Sequence, residues 1–112
     1  MIKQGTIAWL DLDNPPMGHE QGKRRPVVIV SSSDFHVMHN NLAMICPITS
    51  TNRGYLFHVA LNEDTKIGGY VMCEQAKIVD IFARNYEYIE EIPEIILEQI
   101  IERVVAITAR GG

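Results

Sequence analysis

Along most of this 112-residue chain, short apolar runs alternate with polar turn clusters, and only the last stretch changes to a helical period. Thr6-Ile7-Ala8-Trp9-Leu10 predicts a strand, closed by the turn cluster Asp11-Leu12-Asp13-Asn14-Pro15-Pro16. Pro26-Val27-Val28-Ile29-Val30 is apolar throughout and mostly β-branched, which predicts a strand buried on both faces. Pro26 belongs at its beginning, because a proline has no N–H to give a ladder. Ser32-Ser33-Asp34 predicts the cap of a short helical turn running through His39. Leu42 to Ile48 predicts another buried strand. Beyond the loop Asn52-Arg53-Gly54 come three more strand segments: the alternating Phe57-His58-Val59-Ala60-Leu61, then Tyr70-Val71-Met72-Cys73, and Ala76-Lys77-Ile78-Val79-Asp80. Short strands joined by polar turns point to a small barrel or a tightly coiled sheet.

The period changes after Pro93. Ile96, Leu97, Ile100, Ile101, Val104 and Ile107 recur at steps of three and four, so one broad helical face is apolar. Pro93 suits the first helical position, Glu94 the first turn, and Arg110-Gly111-Gly112 a basic stop. Glu94, Glu98 and Glu102 stand four apart on another face. Like charges at that spacing cost a few tenths of a kcal/mol each, so tertiary packing has to hold this helix. The acidic stripe itself reads as a solvated face.

A chain of this length makes one domain with a core that needs no staples. No apolar run approaches the roughly 20 residues of a spanning helix, and Met1-Ile2-Lys3-Gln4-Gly5 lacks the apolar core of a secretory signal. Cys46 and Cys73 both fall inside apolar segments and read as small buried hydrophobes, in keeping with a reducing cytoplasm. The net charge of −4 is unevenly spread. Residues 1–84 balance eight Lys/Arg against eight Asp/Glu, whereas residues 85–112 carry two against six. A neutral body with Lys23, Arg24 and Arg25 crowded together can hold a short single strand of nucleic acid but cannot coat a duplex.

Two polar clusters sit at the ends of the buried strands. Gly18-His19-Glu20-Gln21-Gly22-Lys23-Arg24-Arg25-Pro26 leads into one, and Thr49-Ser50-Thr51-Asn52-Arg53 leaves the other. Together they bring imidazole, carboxylate, amide, hydroxyl and guanidinium groups to rigid scaffolding, an inventory suited to phosphodiester chemistry. The spacing Asp34-Phe35-His36-Val37-Met38-His39 has no cysteine or further carboxylate beside it, so no metal site is assigned.

These segments, with Pro47-Ile48-Thr49-Ser50, Gly54-Tyr55-Leu56-Phe57, Glu74-Gln75-Ala76-Lys77, Arg84 and the opening Gly5 to Asp13, resemble the successive motifs of MazF/PemK toxins, in order, from about residue 5 to residue 107. The resemblance implies a mainly β fold with some α: an SH3-like, partly open barrel shared with the gyrase poison CcdB, with short helices and a C-terminal helix. It implies a homodimer, a cognate antitoxin, no required cofactor or metal, and metal-independent, sequence-specific cleavage of single-stranded mRNA. The ends would be a 2′,3′-cyclic phosphate and a 5′-hydroxyl. Matching motif to motif, Arg25 is the family's active-site arginine, Thr49 its threonine and Glu20 its loop carboxylate. His19, where many members carry serine, and Arg24, a variable position, depart from the pattern.

Side-chain chemistry supports roles for these groups. Arg25 presents a fork that matches two phosphate oxygens and suits charge stabilisation better than proton transfer, with an ion pair on a rim as the alternative. Thr49 can donate to the same phosphate or satisfy backbone at a strand end. Glu20 is the candidate proton carrier with His19 a substrate-binding neighbour, or else Glu20 pairs with Arg24 or Arg25. Lys23, Arg24, Ser50, Arg53 and Lys77 are assigned to substrate binding, and Gln21 and Gln75 to base edges. Tyr55 is open to stacking, Phe57 reads as core, and Trp9 as core or dimer interface. Two other classes stay open: a CcdB-like gyrase inhibitor, although that family uses a C-terminal tryptophan and this chain ends Ala109-Arg110-Gly111-Gly112, and a noncatalytic SH3-like binding module.

Overall fold

A computed structural model describes residues 2–12 and 24–111. Its strands are β1 (Thr6–Asp11), β2 (Arg24–Ile29), β3 (Leu42–Thr49), β4 (His58–Ala60), β5 (Tyr70–Met72), β6 (Lys77–Asp80) and β7 (Glu87–Glu91). The helices are α1 (Ser33–His39) and α2 (Glu94–Thr108), with two 3-10 turns at Cys73–Gln75 and Phe82–Arg84. The strands form one antiparallel path, β4-β5-β3-β2-β1-β7, with β6 also paired to β3. The path does not close on itself, so this is the mainly β, partly open SH3-like barrel with a C-terminal helix that was expected.

Strand β2 alternates between two cores, as its unbroken apolar run predicts. Val28 and Val30 join Ile7, Cys46, Ile48, Val59, Val71 and the α2 residues Ile96, Leu97 and Ile100. Val27 and Ile29 face the other way, with Leu10, Leu12, Ala43, Ile45, Val79 and Ile81. Burial of the two faces removes most of the apolar side chains of β1 to β3 from water, at about 25 cal/mol per Å2 of apolar area. Cys46 and Cys73 are buried and unbridged. Ser32 caps α1 by accepting from the Phe35 N–H at 3.2 Å. On α2, Glu94, Glu98 and Glu102 are exposed, in line with a solvated acidic face. Pro93 lies one residue outside the helix, where its carbonyl accepts from the N–H groups of Ile96 and Leu97. The far end of the apolar face is not covered: Ile107 is 48% exposed.

Strand β7 is the element that the sequence reading passes over. Glu87-Tyr88-Ile89-Glu90-Glu91 is acid-rich and has no fully buried residue. Glutamate has low strand propensity, and here pairing to β1 overrides it. Phe57 also departs from expectation: it is half-buried and outside both cores, its ring 5.8 Å from that of Tyr55.

Two prolines determine where the central ladder stops. The Val30 N–H donates to the Met44 carbonyl at 2.9 Å, and the register runs Ile29↔Ile45, Val28↔Cys46, Val27↔Pro47. Hydrogen-bonded pairs alternate along an antiparallel ladder, so Val27↔Pro47 is a non-bonded pair and the Pro47 nitrogen faces the opposite edge. There the partner of β3 changes from β6, whose last pair is Ile45↔Lys77, to β5, whose first is Ile48↔Val71. The next bonded position on the β2 side would need an N–H from Pro26, which has none, and the β2–β3 ladder ends at Val27. Toward β1, β2 continues to Arg24. Pro26 therefore begins one ladder while sitting inside another.

Two outcomes follow from this geometry. Pro26→Val restores the N–H facing β3; amide exchange should show residue 26 protected, with stability within about 1 kcal/mol of wild type. A fast-exchanging amide 26 would refute the ladder-stop account. At Gly69 (φ +119°), a Cβ would collide with the Thr49 carbonyl oxygen. Gly69→Ala should cost roughly 1–3 kcal/mol in denaturant melts and displace the Thr49 amide resonance.

Candidate functional site

The β2–β3 pairing ends at Val27↔Pro47, and beyond it Arg25 of β2 and Thr49 of β3 line the same two cavities. Both residues share the face of Val27, Ile29 and Ile45, because side chains alternate along a strand. Neither is tied to the other strand by backbone there, so a gap opens between the ends of β2 and β3. One cavity of about 640 Å3 fills it, lined by Arg24, Arg25, Pro26, Ile48, Thr49, Ser50, Thr51, Arg53 and Gly68. A second, of about 320 Å3, is lined by Leu12, Arg25, Pro47, Thr49, Arg53, Met72, Gln75 and Lys77. Arg25, Thr49 and Arg53 belong to both and form the wall between them.

The loop after β3 is shaped by its own side chains. The Thr51 N–H donates to Thr49 Oγ1 at 3.2 Å, which leaves the Thr49 hydroxyl proton for an outside acceptor. The Gly54 N–H donates to Asn52 Oδ1 at 3.0 Å, folding an Asx turn that carries Arg53 back over the cavity. Lys77 comes from the first residue of β6, opposite Ile45 and on the same face as Thr49. Gln75 comes from the 3-10 turn just before it.

Among the described residues that line the two cavities, Arg24, Arg25, Arg53 and Lys77 carry positive charge and none carries a carboxylate. Arg25 has no acidic partner among the described residues. Arg24 is different. Its guanidinium reaches Asp11 at 3.2 Å and Glu87 at 2.9 Å, and donates to the Asn85 carbonyl at 3.0 Å. The Asn85 amide donates to Asp11 at 2.6 Å and, with Arg24, holds the Asp11 carboxyl below its ordinary range, against a smaller opposing effect of burial. Arg84 donates to the Asp11 and Leu12 carbonyls at 3.1 and 2.8 Å, which anchors the chain where it enters the cavity wall.

Of the residues assigned from sequence, the structure brings together Arg25, Thr49, Ser50, Arg53, Gln75 and Lys77, with Arg24 at the edge. His19, Glu20, Gln21 and Lys23 lie outside the described residues. Tyr55 lines neither cavity. Leu12, Pro47 and Met72 supply apolar surface to the smaller cavity, and nothing in their local sequence signalled it. Asp11, Asn85 and Glu87 were not foreseen either, because the turn that gathers them around Arg24 joins positions more than 60 residues apart. No group of three or more His, Cys, Asp or Glu among the described residues is placed to hold a metal. His36 is a satisfied core residue: its Nδ1–H donates to the Ile2 carbonyl and its Nε2 accepts from Ser31.

Residues 3–108 match the family described as PemK-like, MazF-like toxin of type II toxin–antitoxin system. The endoribonuclease PemK of Escherichia coli is 33% identical over 107 residues, covering 92% of this chain and 79% of the relative. The endoribonuclease toxin MazF of Escherichia coli strain K12 is 34% identical over 84 residues, covering 72% of this chain and 70% of the relative. A crystal structure of MazE–MazF from Deinococcus radiodurans aligns with a TM-score of 0.87 at 28% identity, across 98% of this chain and 97% of that one. The chain thus belongs to the PemK/MazF family of toxins of type II toxin–antitoxin systems.

Proposed function

We infer that this chain is an endoribonuclease toxin that cleaves single-stranded mRNA at a short sequence motif. The observation that carries the reading is that Arg25, Thr49 and Arg53 together line both of two neighbouring cationic cavities. Two pockets divided by a phosphate-binding wall suit a strand that crosses the wall at one phosphate and leaves a nucleotide on either side. The family match and relatives named endoribonucleases support the same activity.

In the mechanism we propose, the 2′-hydroxyl attacks the adjacent phosphorus and the 5′-oxygen leaves, giving 2′,3′-cyclic phosphate and 5′-hydroxyl ends without a metal or cofactor. Arg25 stabilises the charge that develops on the phosphorane oxygens, and Thr49 donates its hydroxyl hydrogen to one of them. Glu20 accepts the 2′-hydroxyl proton as that oxygen attacks and returns it to the departing 5′-oxygen, and His19 contributes to substrate binding. Arg53, Lys77 and Ser50 hold flanking phosphates, Gln75 reads a base edge over Met72 and Leu12, and Gln21, Lys23 and Arg24 complete the binding surface. Arg24 contributes less than its charge suggests, since Asp11 and Glu87 already engage it.

The protein acts in the cytoplasm as a homodimer, and Val105 and Ile107 are exposed apolar surface that a second copy would cover. A cognate antitoxin neutralises it by laying an acidic, flexible segment over the Gly18–Arg25 loop in competition with RNA phosphates. The Deinococcus radiodurans relative in complex with MazE supports a protein partner.

Long single-stranded RNA incubated with the protein in EDTA, with cuts mapped by primer extension and ends analysed chemically, tests the reaction. Discrete cuts with cyclic-phosphate ends are expected; intact RNA across varied sequences would overturn the reading. Arg25→Ala should lower kcat by about 100-fold or more, as removal of one preorganised donor does. Thr49→Ala should lower it roughly tenfold while Thr49→Ser retains most activity; equal loss in both would remove the hydroxyl from the mechanism.

A further inference from the structure

The most buried imidazole–carboxylate contact in the described residues stands outside the cavities. His58 Nε2 lies 3.0 Å from Glu74 Oε2, with only 4% of the histidine side chain and 27% of the glutamate side chain exposed. Among the described residues each side chain hydrogen-bonds only to the other; His58 Nδ1 and Glu74 Oε1 are buried without partners. The Tyr55 ring closes over the imidazole edge-on at 5.3 Å. Burying two such groups is costly, and breaking the pair by removing one partner leaves a buried polar group uncompensated.

What the pair holds is the turn that faces the site. Glu74 is the middle residue of the 3-10 turn Cys73–Gln75, while His58 lies on the edge strand β4, opposite Met72. The same turn is tethered by the Cys73 N–H to the Phe57 carbonyl at 3.1 Å. Successive side chains in a 3-10 turn point about 120° apart. Clamping Glu74 toward β4 therefore sets the rotation of the turn, and with it the direction of Gln75 and the entry of Lys77 into β6. Gln75, Lys77 and Met72 line the smaller cavity, whereas His58 and Glu74 do not.

We propose that His58, acting through Glu74, is a positioning residue for the Gln75–Lys77 wall of the RNA-binding cavity. The proposal rests on the endoribonuclease reading and adds to it a residue that no RNA group touches. A positioning role puts the loss in KM rather than kcat, because the Arg25–Thr49 wall lies on other strands.

The decisive variant is His58→Leu/Glu74→Met, which replaces the pair by apolar side chains and leaves no orphaned polar group. Its melting curve should match wild type. Its KM for a mapped RNA should rise about tenfold with kcat within about twofold, and adding Gln75→Ala should cost little more, as coupled residues do. The side-chain amide signal of Gln75 should shift in the NMR spectrum. Glu74→Gln keeps shape and acceptor and should keep the wild-type KM; a rise there as large as in the double variant would mean that the carboxylate acts on RNA directly, overturning the positioning role. A folded double variant with unchanged KM and an unmoved Gln75 signal would also overturn it. Should that variant melt early, His58→Asn, too short to reach Glu74, decides the same question through the Gln75 signal: shifted supports the positioning role, unmoved refutes it. Unmodified protein that cuts no RNA would sink the endoribonuclease reading instead, and the Gln75 signal would still decide the positioning.

Discussion

A missing N–H shapes the site. Proline at position 26 cannot give the hydrogen bond that the next rung of the β2–β3 ladder requires, so those two strands part while β2 stays paired to β1. Arg25, paired to Leu10 of β1, and Thr49, paired to Tyr70 of β5, are left to line the cavities past the end of that ladder. Pro47 does the complementary thing on the other edge of β3, where its nitrogen faces the change of partner between β6 and β5. That change of partner leaves room for the turn bearing Gln75. Both cavities exist because the ladders around β3 are interrupted at these places.

Around that gap the cations take different positions by virtue of their neighbours. Arg24 points one residue away from Arg25 along an alternating strand, and so meets Asp11, Asn85 and Glu87 on the β1–β7 side. Arg25 turns to the cavities. Two adjacent arginines thereby separate into one braced by acids and one with no acidic partner among the described residues, which is a consequence of strand geometry and not of any difference in side-chain chemistry. Arg84 reinforces the division by fixing the carbonyls at the end of β1. The excess acidity near the C-terminus also finds a structural use: Glu87, Glu90 and Glu91 of β7 engage Arg24, the backbone N–H groups of residues 66 and 67, and Lys3.

Much of this was legible in the residue pattern. Apolar runs marked β2 and β3, the 3.6-residue period marked α2, and Ser32 marked the start of α1, because each signal depends only on near neighbours. The polar residues at strand ends marked Arg25, Thr49, Ser50 and Arg53 for the same reason. Strand β7 was not legible, since an edge strand with polar faces has no apolar alternation to betray it. Nor were the Arg24 clamp and the His58–Glu74 pair, whose members are ordinary residues that acquire meaning only when β7 meets β1 and β4 meets β5.

The amino-acid order by itself determined the class of fold, the two cores and the family, because burial patterns and ordered motifs are properties of a one-dimensional string. It also determined where a ladder had to stop, since a proline lacks its N–H in every context. Only the tertiary structure decided which side of β2 would be interrupted, which arginine would face the gap, and which turn would supply the facing wall. Those outcomes depend on register, and register is a relation between distant strands that no local stretch of sequence encodes.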